Sequence, residues 1–193
     1  VEELVSVAGR FELISEALGG AKLLRRKKIA DDRGFLSRLF EPDDLEELGW
    51  SGPVAQINET GTTTKGTLRG FHFQHPPFAE TKLVACTAGA IYDVALDLRR
   101  GSPTFLQHFG VELSAENGCS FLIPAGFAHG FQTLTDDVRM IYAHSAPYSA
   151  QSEDGLNCLD PTIGVTWPLP VSVISERDKA RPMVDRGYQG VAA

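Results

Sequence analysis

Residues 118–129 read GCSFLIPAGFAH: a glycine, five residues, Pro-x-Gly, two residues and a histidine. Pro124 presets its own φ and Gly126 admits a positive one, so this turn is expected to form a hairpin that presents His129 inward. On either side, short apolar runs recur about every ten residues. VAQIN, TLRGFHFQ, KLVACTAG, FLQHFGVEL and VRMIYAH are examples, most of them bounded by Gly, Pro, Asp or Asn. Evenly spaced short strands with such turns imply an antiparallel sandwich or barrel rather than alternating βα units. The run AIYDVALDL, residues 90–98, alternates: Tyr92, Val94, Leu96 and Leu98 share one face, and Asp93 and Asp97 lie on the other. If the second face lines a barrel, polar groups must occupy part of the interior.

The 193 residues, 42% hydrophobic and 22% charged, suit one soluble domain spanning 1–193. Helices are expected only at the periphery. Residues 2–18 mix helical and strand periods and read as a helix ending at Gly19-Gly20. Residues 42–48 open with a helix-start signature, and residues 175–180 read as a short capped helix. Residues 21–29 and 35–40 read as strands flanking a turn at 31–34. No run approaches the ~20 apolar residues that span a bilayer, and no leader-like opening is present. A cytoplasmic protein without membrane contact is the expectation. Three dispersed cysteines, Cys86, Cys119 and Cys158, with no CxxC pair, argue against a disulfide framework or a structural zinc site. A net charge of −7 argues against nucleic-acid binding, while leaving room for an anionic small molecule wherever cations gather.

They gather in residues 66–82, GTLRGFHFQHPPFAETK. This run is too polar for a core strand and too apolar for a solvated loop. It reads as a strand crossing a pocket, with His72 as a base and Arg69 and Lys82 holding negative charge. Together with residues 118–129 it resembles the paired signature of the cupins, small double-sheet antiparallel barrels of jelly-roll type. Metal-binding cupins carry His-x-His in the first half. Here His72 is followed by His75, and residues three apart on a strand face opposite ways. A metal set of His72, Glu80 and His129, serving an oxygenase or isomerase, is the alternative; no metal and no cofactor are expected.

Seven motifs in order sharpen the resemblance: DDRGF (31–35), QIN (56–58), LRGFHFQ (68–74), DLRRGSPTF (97–105), ELSAENG (112–118), IPAGFAHGF (123–131) and SERD (175–178). In this order they resemble the nucleotide-sugar 3,5-epimerases, metal-independent cupins, from about Leu23 to Met183; residues 1–20 fall outside. The resemblance implies inversion of C3, C5 or both in a nucleotide-linked 4-keto-6-deoxyhexose through enolates. It implies His72 as base paired with Asp178, Lys82 as enolate partner and Tyr142 as acid on the far face. Asp93 is a second candidate to orient His72, and His129 a supporting donor. Arg33, Gln56, Asn58, Arg69, Tyr148 and Glu153 would bind substrate. Arg33 would come across the interface of a homodimer with shared sites. Arg38 replaces the glutamate usual in the family and leaves the nucleotide base open, dTDP, CDP or GDP. A mono-epimerase acting at one carbon and a non-catalytic sugar-nucleotide binder are the other readings.

Overall fold

The structure is a computed structural model describing residues 7–192. Its strands form two facing sheets and one small hairpin. In chain order they begin with β1 (Val7–Ala8), β2 (Phe11–Ala17), β3 (Ala21–Arg26), β4 (Lys28–Asp31) and β5 (Gly34–Ser37). Helix α1 (Pro42–Glu47) follows, then β6 (Gln56–Thr62), β7 (Thr67–Gln74), β8 (Lys82–Ala88) and β9 (Ala90–Asp97). The chain continues through β10 (His108–Ser114), β11 (Cys119–Ile123), β12 (Phe127–Thr133) and β13 (Val138–His144). It ends with β14 (Glu153–Gly155), β15 (Val173–Ile174) and α2 (Glu176–Lys179). One sheet runs β1-β2-β3-β11-β8-β13-β6 and the other β10-β9-β12-β7-β14, with β15 parallel to β7. This is the mainly antiparallel double-sheet barrel with short peripheral helices that the run spacing predicts.

The sheets meet over one inner core. Val84, Cys86, Phe121, Ile123 and Met140 from the first sheet face Ile91, Ala95, Val111, Phe127 and Phe131 from the second. Both outer faces are partly covered too. Leu68, Phe71, Val94 and Leu96 lie under Leu156, Cys158 and Ile163, while Leu24, Leu83 and Leu122 pack with Leu45 of α1 and Trp50. Double coverage explains why β11 and β12 are buried along their whole lengths. All three cysteines are free and buried.

Four local readings are corrected. The described part of the helix expected over 2–18 is instead β1 and β2, with β2 antiparallel to β1 on one side and to β3 on the other; residues 1–6 lie outside the described residues. A register shift between Leu13 and Ser15 breaks the strand alternation and produces the mixed period. The strand expected over 21–29 is divided, β3 ending at Arg26 and β4 starting at Lys28, and the one over 35–40 is the shorter β5. The Pro124-Ala125-Gly126 turn joins different sheets rather than closing a hairpin, because β11 pairs with β3 and β8 while β12 pairs with β7 and β9. Gly126, at φ +84°, makes that crossing.

Asp97 shows how the DLRRGSPTF motif serves the fold. Fully buried, its carboxylate accepts from Arg99, Ser102 and Thr104. Burial opposes ionisation, but these donors prevail and hold the carboxyl down to about 2.

Candidate active site

A cavity of about 290 Å³ opens between the sheets. β7 supplies Arg69 and His72, and β12 supplies His129. From the opposite sheet come Lys82 of β8, Tyr142 and His144 of β13, and Gln56, Asn58 and Thr60 of β6.

Arg69 and His72 are three residues apart, and regular alternation would turn them to opposite faces. The β7–β12 register shifts between His129 and Phe131, so His72 pairs with His129 while Arg69 pairs with Phe131. The extra residue on β7 restores both side chains to the cavity. Gly70 permits it: its φ is +123°, and an added Cβ would sit 2.5 Å from Gly130 Cα.

His72 Nε2 lies 2.7 Å from Asp178 Oδ1. Asp178 is brought there from 106 positions away by the parallel β15–β7 pairing and by α2, whose N-cap Ser175 accepts from the Asp178 N–H. Burial works against the Asp178 charge, yet the hydrogen bond from His72, aided by the Gly70 N–H and Ser175, keeps its carboxyl below the ordinary carboxylate range. An ionised carboxylate only accepts, so Nε2 carries a proton, and the tautomer this selects has its lone pair on Nδ1.

Asp93 does not orient His72. It is fully buried and 2.5 Å from His129 Nε2, because β9 pairs with β12 and not with β7. His129 is thereby held by a carboxylate of its own. His75 turns away from the cavity to Asp154, 3.1 Å distant. Among the described residues, no group of three or more His, Cys, Asp or Glu is placed to hold a metal ion.

Lys82 is buried, 6% exposed, with its Nζ 3.1 Å from Glu80 Oε1 and 3.3 Å from the His72 carbonyl. Tyr142 donates to or accepts from Thr60 Oγ1 at 3.2 Å. Burial pushes its phenol well above the usual value, so it stays protonated. His144 was not anticipated, although alternation along VRMIYAH places it on the face of Tyr142. Burial, with the charge of Lys82 beside it, pushes its imidazole down to about 4, so it is neutral near pH 7.

The remaining predicted binding residues divide. Gln56, Asn58 and Tyr148 line the cavity, with Gln56 accepting from the Tyr148 N–H at 2.8 Å. Arg69 bonds only the Gly61 carbonyl among the described residues, at 3.4 Å, leaving most of its guanidinium donors for a ligand. Glu153 lines the cavity but is ion-paired to Arg177 and Arg181, so Arg177 becomes a cavity cation that the reading of SERD passed over. Arg33 is not among the lining residues: it sits on the β4–β5 turn, bonded to Asp31, with its side chain 89% exposed. Arg38 is ion-paired with Glu41 and is likewise not among the lining residues.

The chain matches the family model described as dTDP-4-dehydrorhamnose 3,5-epimerase over residues 15–186. It is 44% identical over 169 residues to a dTDP-4-dehydrorhamnose 3,5-epimerase from Sinorhizobium fredii, covering 87% of each chain. Among solved structures, the dTDP-6-deoxy-D-glucose-3,5-epimerase of Legionella pneumophila, in complex with dTDP-4-keto-L-rhamnose, superposes with a TM-score of 0.87 and 36% identity, over 95% of this chain and 99% of that one. ChmJ, a 3'-monoepimerase from Streptomyces bikiniensis in complex with dTDP-quinovose, gives a TM-score of 0.78 and 34% identity over 85% and 83%. A double-sheet barrel with this cavity, matched along nearly its full length at such identity, belongs to the dTDP-4-dehydrorhamnose 3,5-epimerase family.

Proposed function

We propose that this chain inverts C3 and C5 of a nucleotide-linked 4-keto-6-deoxyhexose of the dTDP-4-dehydro-6-deoxyglucose type. The observation that carries this reading is the placement of a base and an acid on opposite walls. His72 stands on one sheet, and Tyr142 with Lys82 on the other. Inversion beside a ketone needs a proton removed from one face of the carbon and returned to the other.

In the proposed sequence His72 takes the α-proton, and Asp178 holds the imidazolium that results. Electrons from the broken C–H bond move onto the ketone oxygen, where the Lys82 ammonium meets the developing enolate. Tyr142, a protonated phenol, returns a proton from the far face as the enolate collapses. Arg69 and Arg177 supply the positive charge for the pyrophosphate, and guanidinium forks suit its oxygens. The dTDP-linked ligands of the similar structures support dTDP as the nucleotide.

The similarity to a monoepimerase supports a second reading, since the same groups serve one inversion as well as two. Product analysis separates them. Incubation with dTDP-4-keto-6-deoxyglucose is expected to yield a sugar inverted at both C3 and C5 by NMR; inversion at one carbon alone selects the mono-epimerase, and no inversion defeats the proposal.

A homodimer with shared sites belongs to the same proposal. The β4–β5 hairpin projects Ile29, Phe35 and Leu36, at 48%, 62% and 65% exposure, beside Arg33. An apolar tip of this kind is suited to burial against a second copy, delivering Arg33 to the partner's cavity. Mixing inactive Arg33→Ala and His72→Ala proteins under exchange conditions then restores about a quarter of parental activity, because half of the dimers are mixed and each has one intact site. No recovery after confirmed subunit exchange counts against the shared site. A cytoplasmic enzyme without a nucleic-acid partner completes the reading; the charge of −7 supports the latter, and no described helix is long and apolar enough to cross a membrane.

A further inference from the structure

Lys82 is not alone in its wall of the cavity. Glu80 is 7% exposed and lines the same cavity, and both of its carboxylate oxygens are engaged. Oε1 faces Lys82 Nζ at 3.1 Å, and Oε2 accepts from Gln74 Nε2 at 3.0 Å. Gln74 is itself anchored. Its amide donates to the Phe78 and Pro147 carbonyls, and its oxygen accepts from the Ser149 N–H at 2.6 Å. Glu80 therefore cannot swing away from Lys82 without breaking a buried network.

An ammonium has three hydrogens. At Lys82 one is directed to Glu80 and one to the His72 carbonyl, which leaves the third for the cavity. We infer that Glu80, held by Gln74, is a positioning residue for the epimerisation, fixing the direction of the Lys82 ammonium that meets the enolate oxygen. The inference rests on the proposed role of Lys82. The other titratable groups lining this cavity are Arg69 and His72 on β7, His129 on β12, Tyr142 and His144 on β13, and Tyr148, Glu153 and Arg177. Of the two carboxylates, Glu153 is taken up by Arg177 and Arg181, and Glu80 is the one ion-paired with Lys82.

Glu80→Gln keeps the shape of the side chain but removes its charge, and it presents an amide N–H to one of two donors, Lys82 or Gln74. The substitution is expected to lower kcat for solvent-deuterium exchange at the carbons beside the ketone about tenfold or more. KM and dTDP affinity should stay within about threefold, since the lost interaction matters in the transition state. The Lys82→Met and Lys82→Met/Glu80→Gln pair completes a double-mutant cycle, with melting temperature and dTDP binding reporting folding. If Glu80 acts through Lys82, Glu80→Gln adds no further loss in the Lys82→Met background. A kcat for Glu80→Gln within twofold of the parent overturns the inference. So does an equal loss with and without Lys82, which would make Glu80 a general structural element. An inactive parent would overturn the proposed function and this inference together, whereas an active parent with an indifferent Glu80→Gln removes only the inference.

Discussion

His72→Ala is expected to lower deuterium exchange into the substrate by about 10²–10⁴-fold, the range that a positioned general base contributes. The affinity for dTDP should change by no more than a few fold. The imidazole is not among the groups proposed to bind phosphate, and Arg69, which lines the cavity from the same strand, remains for that role. The removed ring leaves Asp178 without its hydrogen bond at 2.7 Å, but the Gly70 N–H still donates to that carboxylate and the Ser175 cap still holds the Asp178 backbone. Folding should therefore survive the substitution. Exchange rates and dTDP titration check both halves; exchange near the parental rate would move the base to another residue.

Tyr142→Phe should separate two events that His72→Ala abolishes together. The phenol is buried beside Thr60, on the wall opposite His72, and burial keeps it protonated. Without it, the enolate still forms on the His72 side, and the proton can return to the face it left. Formation of inverted product is expected to fall about 10²-fold, while solvent exchange falls much less. The ratio of exchanged to inverted sugar, read by NMR, therefore rises. Equal loss of exchange and inversion would assign the far-face proton to another donor. His144 is an alternative on that wall, its ring 6.1 Å from that of Tyr142 on the same strand.

What was legible in the sequence follows the range of the physics involved. Strand spacing from about residue 54 onward reported the double-sheet barrel, because alternation and turn chemistry are local. Register shifts defeated the same alternation where they occur. The break between Leu13 and Ser15 disguised β2 as a helix, and the one opposite Gly70 gives Arg69 and His72, both assigned to the pocket, a common face that alternation alone does not predict. The Asp178–His72 pair spans 106 positions and was reached only through the family resemblance, not through spacing. Asp93 was misassigned for a related reason: its pattern shows which face it occupies, but only strand order shows that His129 is its neighbour. Glu153, expected to bind substrate, is ion-paired to Arg177 and Arg181, which lie 24 and 28 positions away and so leave no local pattern.

The central claim is that proton transfer beside a ketone takes place between the two sheets. Incubation of the parental protein with dTDP-4-keto-6-deoxyglucose in deuterated buffer tests it most directly. Deuterium is expected at C3 and C5, at rates that disappear with His72→Ala. No enzyme-dependent incorporation with dTDP-, CDP- or GDP-linked forms of the sugar would contradict the account.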